Sequence, residues 1–389
     1  MLGRRKGSRL SNRRPGIALF VLMTALIVLS LGMKELFQMT SSSAERVRNS
    51  VDRIQALYLA RSTLNLSRFF IAYDRVADST AGANAASDSL SDLWARPIPF
   101  PVPVELLLGE KEKNDEDGAE AEKPADSREE IPDDQKSKIT RCNEFFEDFG
   151  GTAVSTTYDL SGRLSLNDLG HASKLSLETL FALLTPNTEF VQKLQSKNLN
   201  AEAITREIRD FGDRDEIELE TNAPEDSPYS AAQLSYKPKN RPYMILDELK
   251  LVPAMDDELY EYLSDKVNPY YIPLRSGPDK INLNTCSKEL FAALLKDASN
   301  PEEISAEFVK DRKEKQRVYK DADIAQLLQD NLRLDKDNIR LSLLTGKSDA
   351  FKIETEASVN QTELKLETIV SRAGGVKKME PIVLMRVSP

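Results

Sequence analysis

Asp210, Asp213, Asp215 and Glu216 crowd one short stretch of the chain, and Glu225 and Asp226 follow beyond a short loop. Carboxylate oxygens gathered this way are hard ligands of the kind that surround calcium, which takes about six to eight of them. Asp213, Asp215, Glu225 and Asp226 are the candidate ligands. Arg206, Arg209 and Arg214 are interleaved with them, so surface salt bridging is the competing reading, and the spacing gives no register that singles out individual ligands. The other chemistry-bearing residues are sparse. There are two cysteines, Cys142 and Cys286, and a single histidine, His171. A Cys142/His171 nucleophile pair is the only catalytic arrangement these types allow, and no Gly-rich phosphate loop accompanies it, which weighs against an enzyme. Cysteines without CxxC spacing argue against structural zinc. They either pair as a disulfide or stay apart as two buried thiols.

The N-terminus carries a different signal. Arg13, Arg14, Pro15 and Gly16 run into IALFVLMTALIVLSLGM, a junction of the type a prepilin peptidase cuts between Gly16 and Ile17, which makes residues 1–16 a leader. In Ile17–Met33 all but Thr24, Ser30 and Gly32 are apolar, and at 1.5 Å per residue the stretch spans about 26 Å, enough for a bilayer core. Arg4, Arg5, Lys6, Arg9, Arg13 and Arg14 precede it without an acidic residue, which holds the N-terminus in the cytoplasm and sends the rest outward. An ordinary secretory signal would close with a small-residue cleavage site after the apolar run. Here Lys34 and Glu35 lead instead into helical spacing at Val47, Val51, Ile54 and Tyr58, then Leu59, Leu66, Phe69, Phe70 and Tyr73. One helix is predicted from Ile17 to about Tyr73, with an extramembrane part over 34–75. A plain uncleaved anchor is the alternative.

About 300 residues remain, room for two compact units. The net charge of -10 is concentrated in Gly109–Ser137, which holds twelve acidic and five basic residues and Ile131 as its one large apolar side chain. Such a stretch cannot offset the entropy of ordering itself and is expected to be a disordered surface loop. Around it, 90–166 should supply strands, introduced by Pro97, Pro99, Pro101 and Pro103. TAVSTTYDLSGRLSL alternates as a hairpin would, with a turn at Ser161 and Gly162. Over 167–344 the apolar spacing is helical, and over 345–389 it returns to strand alternation in FKIETEASV, TELKLETIVSR and EPIVLMRV, with turn signals at Asn360 and at Gly374 and Gly375. The fold class is α+β: a long N-terminal helix on an antiparallel sheet, with a large helical domain inserted.

Four blocks in order, DLSGRLSLNDL (Asp159–Leu169), APEDSPY (Ala223–Tyr229), KNRPYMILDELKLVPAMDDELYEYL (Lys239–Leu263) and INLNTCSKELFAALL (Ile281–Leu295), resemble the general secretion pathway protein K family. The resemblance covers most of the chain, with Gly109–Ser137 standing out as an insertion. It implies a pilin-like core carrying an inserted helical domain, a place in the inner membrane with the bulk of the chain in the periplasm, and a role as minor pseudopilin of type II secretion. The partners it implies are the I and J minor pseudopilins at the pseudopilus tip, the major pseudopilin, the prepilin peptidase and the inner-membrane secretion platform. It also implies that Ile17 becomes the first mature residue, usually N-methylated. Pilin-like proteins mostly carry Glu at the fifth mature position, and here that position is Val21. The K type shares this departure, and a subunit that begins a fibre has no earlier subunit whose terminal amine needs neutralising. INLNTCSKELFAALL also resembles the first helix of helix-hairpin-helix DNA-binding modules, which makes a membrane-tethered DNA-binding protein of a competence or pilus system the rival. That rival lacks its Gly-rich hairpin: KDASNPEEISAEF follows, with Glu302 and Glu303 where phosphate would approach, so nucleic acid is not expected as a partner. The plainer reading is that Asn282, Asn284 and Thr285 cap a helix.

Overall fold

The computed structural model describes residues 15–81, 86–102, 137, 141, 150–171, 174–218, 223–270, 279–372 and 381–388. The Gly109–Arg128 and following acidic stretch up to Lys136, Cys142 and the glycines at 374 and 375 lie outside them.

Helix α1 (Pro15–Ala81) is 67 residues long, about 100 Å at the helical rise. Proline at its first position costs no hydrogen bond, because that N–H would lack an intrahelical partner anyway. The helix outruns the expected end at Tyr73 because Asp74–Ala81 contains neither glycine nor proline. From Ile17 to Met33 its large apolar side chains are 55–69 % exposed, so nothing in this fold covers them. From Asp52 on, one face turns inward: Ala56, Leu59, Ala60, Thr63, Ser67, Phe70 and Ile71 repeat at helical steps and are buried.

That face rests on a five-stranded antiparallel sheet of β1 (Ile98–Phe100), β2 (Gly151–Asp159), β7 (Ala350–Val359), β8 (Thr362–Ser371) and β9 (Pro381–Ser388), in the spatial order β1-β2-β7-β8-β9. Alternation sends Phe351, Ile353, Ala357 and Val359 of β7 and Leu364, Leu366 and Val370 of β8 toward α1. Ala56 and Ala60 let the helix approach closely, and Trp94 packs edge-on to Phe351 at 5.0 Å between ring centres. The opposite face carries a ladder of charges, Lys352 between Glu354 and Glu367 and Lys365 between Glu354 and Glu356. β7 and β8 form a hairpin that turns at Asn360, whose φ of 53° suits asparagine.

The hairpin expected at Ser161 and Gly162 does not form. β2 pairs along its whole length with β7, almost two hundred residues later in the chain, with Asp159 opposite Phe351. The turn instead leads out of the sheet, and β3 (Leu164–Ser165) runs parallel to β4 (Val267–Asn268). Between Leu160 and Asp349 the chain builds a second hydrophobic core from α2 (Lys174–Leu184), α3 (Thr188–Ser196), α4 (Ala201–Gly212), α5 (Ser227–Ala231), α6 (Asp257–Ser264), α7 (Lys288–Leu294), α8 (Pro301–Glu314) and α9 (Ile324–Leu332). Leu180, Ile204, Ile208, Leu290 and Phe308 sit at its centre, and Phe291 stacks on Phe308 at 3.7 Å. Two short strands, β5 (Ile281–Asn282) and β6 (Leu344–Thr345), pair in parallel where the chain returns to the sheet.

The INLNT asparagines do not cap α7. Ser287 does, its hydroxyl accepting from the Leu290 amide at 3.1 Å. Asn284 is spent on the loop beyond α8: its amide donates to the Tyr319 and Gly346 carbonyls at 2.9 and 3.3 Å, and its oxygen accepts from the Tyr319 amide at 2.7 Å.

Candidate metal centre

Helix α4 starts at Asn200, whose side chain accepts from the Glu202 amide at 2.9 Å, and buries Ile204, Ile208 and Phe211. That places Asp210 in its last turn and Asp213 at its C-cap, where the Asp213 amide donates to the Arg209 carbonyl at 3.1 Å. A helix C-terminus carries partial negative charge, so two carboxylates there are unfavourable without a nearby cation. Gly212 lies under the Tyr243 ring, where a Cβ would approach within 2.8 Å, and the Tyr243 hydroxyl donates to the Ile208 carbonyl at 2.6 Å. Tyr243 therefore fixes the end of the helix.

Glu225 arrives from the following loop. Ile217 bridges Pro224, the Glu218 amide donates to the Ala223 carbonyl at 2.9 Å, and the Glu225 amide donates to the Glu216 carbonyl at 3.3 Å. The result brings carboxylate oxygens of Asp210, Asp213 and Glu225 within 4.8 Å of one another, all three buried. One oxygen of Asp210 and both oxygens of Asp213 and Glu225 find no hydrogen-bond donor. Arg209 offers partial compensation, 3.6 Å from Asp210 and 3.5 Å from Asp213, yet its own Nε and Nη1 are also without hydrogen bonds. Burial first, and then the neighbouring carboxylates, push Asp210 up to about 7, Asp213 to about 6 and Glu225 to about 8. A cavity of about 40 Å³ lined by Glu207, Asp210, Glu218, Glu225 and Tyr229 adjoins the cluster, room for a single ion or water. The orphaned oxygens of Asp210 and Glu225 face this cavity, those of Asp213 complete the cluster beside it, and such a gathering of carboxylate oxygens fits a hard cation such as calcium.

Of the four expected ligands the structure brings Asp213 and Glu225 together, and Asp210 is the third member of their cluster. Asp226 is half-buried and pairs with Lys237 at 2.7 Å, which holds its carboxyl below the usual range. Asp215 is exposed, and one of its oxygens accepts from the Ile217 amide at 3.1 Å, shaping the turn. Cys286 is a free, fully buried thiol that donates to the Leu283 carbonyl. Burial pushes it up to about 11, with Arg312 pulling the other way. Cys142, its expected partner, lies outside the described residues.

The second feature is the far side of α1. Opposite the buried face, Val47, Val51, Ile54 and Tyr58 recur at helical steps and are 47–66 % exposed, continuing the apolar surface of Ile17–Met33 along the helix. Gly16 and Ile17 lie in the first turn of α1, and Val21 is on its exposed surface.

A long N-terminal helix on an antiparallel sheet, with a helical block spliced between β2 and β7, defines a pilin-like α+β protein. A chain of the crystal structure of the GspK-GspI-GspJ complex from the enterotoxigenic Escherichia coli type 2 secretion system shares this fold, with a TM-score of 0.55 at 19 % identity over 88 % of this chain and 99 % of that one. Residues 162–268 match the family model "Type II secretion system (T2SS), protein K". Type II secretion system protein K of Klebsiella pneumoniae is 34 % identical over 108 residues, which is 28 % of this chain and 31 % of the relative's length. All three cluster carboxylates fall inside the matched stretch.

Proposed function

We propose that the protein is a minor pseudopilin of a type II secretion system that caps or initiates the tip of the periplasmic pseudopilus. It is a structural component rather than an enzyme. The observation that carries this reading is the two-faced α1: one side holds the protein's own sheet, while the other keeps an apolar stripe outside the membrane. A face of that kind costs free energy in water and is satisfied by the stems of neighbouring subunits. The membrane segment Ile17–Met33 anchors the chain once in the inner membrane, with the N-terminus cytoplasmic. The related complex of GspK, GspI and GspJ supports I and J minor pseudopilins as neighbours. The major pseudopilin, the prepilin peptidase and the inner-membrane platform complete the set of partners.

Calcium held by Asp210, Asp213 and Glu225 is structural in this reading. It neutralises charge at the end of α4 and ties Glu225 to that helix end, which makes the helical block stiffer without taking part in a reaction.

Stoichiometry tests the tip role. Sheared fibres should contain a trace of this protein, confined to fibre ends, and its deletion should abolish secretion. Amounts near those of the major subunit would refute capping.

A further inference from the structure

Only two crossings of the backbone join the helical block to the sheet: the turn after Asp159 and the return before Ala350. Two adjacent crossings make a hinge unless something closes it. At that place five segments distant in sequence meet through buried polar groups. Asp159 accepts hydrogen bonds from the Thr285 and Ser348 hydroxyls, both at 2.5 Å, from the Asn282 amide at 3.2 Å and from the Ser161 backbone N–H at 2.8 Å. Asn282 donates as well to the Ser348 hydroxyl at 2.7 Å and to the Asp88 carbonyl at 3.0 Å. Asp88, in the connection after α1, accepts from the Ser348 amide at 2.7 Å and pairs with Arg372. Arg372, just past β8, donates to the Ser348 carbonyl at 2.8 Å and reaches Asp74 of α1 at 3.2 Å.

We propose that this junction latches the helical block to the sheet and to α1, so that the stem, the sheet and the block move as one rigid body. The argument is energetic. Asp88, Asp159, Asn282, Ser348 and Arg372 are all buried. A buried charge or amide is tolerated only while its partners hold it, and losing one leaves the others unpaired in a place water does not reach. Such a network is either closed or broken, with little in between. The packing agrees: Gly162 lies so close to Thr285 that a Cβ on it would collide, leaving no slack at the first crossing. Steps of the stem would then reach the block undamped. The inference concerns rigidity alone and stands whether or not the fibre-tip reading holds.

The test places two fluorophores, by non-cysteine chemistry, at exposed Arg61 on α1 and exposed Lys310 on α8 of the full chain in detergent, and reads single-molecule distance distributions. The parent chain should give one narrow distribution. Asn282→Ala should broaden it about twofold or more while amides around Leu290 and Phe308 keep their hydrogen-exchange protection. A distribution as narrow as the parent's would overturn the latch. Should Asn282→Ala expose both cores, Thr285→Val decides: it removes one bond to Asp159, and the width must rise with the cores intact, whereas an unchanged width overturns the proposal.

Discussion

Arg209 stands 3.5 Å from Asp213, near enough to be attracted and too far to hydrogen-bond, so neither oxygen of that buried carboxylate is satisfied. An arginine serving as the sole counter-ion would close that gap. Its position alongside three carboxylates, two of them at a helix C-terminus, is what a site for an additional cation looks like.

Calcium should therefore stabilise the folded protein. A ligand that binds only the folded state adds about 2.7 kcal/mol at one hundred times its Kd. Thermal melts with calcium and with chelator should separate by several degrees, and Glu225→Gln should bring them together. Coincident melts for the parent protein would leave the salt-bridge reading.

With chelator, stability should depend on pH in a direction opposite to that of most carboxylate-paired proteins. Glu225 at about 8, Asp210 at about 7 and Asp213 at about 6 lie above the ordinary values of 4.5 and 3.8. The folded state then holds protons that the unfolded state releases, so unfolding free energy falls as pH rises from the ordinary carboxylate range to about 8. Urea midpoints should be higher at pH 5 than at pH 8, with a shallower slope in Glu225→Gln. Asp74, pushed to about 8, and Asp159, pushed to about 6, act in the same direction, so some slope should survive in that variant.

The helical core should be unforgiving. Phe291 and Phe308 are fully buried and stacked. Phe291→Ala should lower stability by about 3–5 kcal/mol, because it loses transfer energy and leaves a cavity. Chemical denaturation of the calcium-loaded protein measures this, and a loss below 1 kcal/mol, about the scale of a surface substitution, would mean the core rearranges.

Processing should depend on Gly16. Replacing it with a bulky residue should retain residues 1–16 and leave the precursor mass in membranes that contain an active prepilin peptidase. A normal mature mass in that variant would remove the leader.

Val21→Glu should bring no gain in fibre assembly, and by placing an unpaired carboxylate at membrane depth it should hinder insertion or assembly. Counting fibres per cell for parent and variant decides it. An increase would show that a subunit does lie ahead of this one.

Local physics made much of this protein readable from its residues. The anchor follows from a predominantly apolar run behind arginines, the stem from helical steps between Val47 and Tyr73, and the β7–β8 hairpin from alternation either side of Asn360, since each of these depends on neighbours a few residues away. Asp213 and Glu225 emerged from local acid density for the same reason. Tertiary structure decided the rest. Whether Asp210 or Asp226 completes the cluster turns on the bridge between Ile217 and Pro224 and on the reach of Lys237, neither of which has a sequence signature. The Ser161–Gly162 turn resembles a hairpin locally, but the partner of β2 lies almost two hundred residues later, where hydrogen bonding along nine residue pairs outweighs a short local return. Asn282 and Asn284 read as caps because capping is the commonest use of asparagine before a helix. Their true partners, among them Asp88, Asp159 and Tyr319, come together only when the insertion docks on the sheet, and a buried amide takes the bonds that docking offers it.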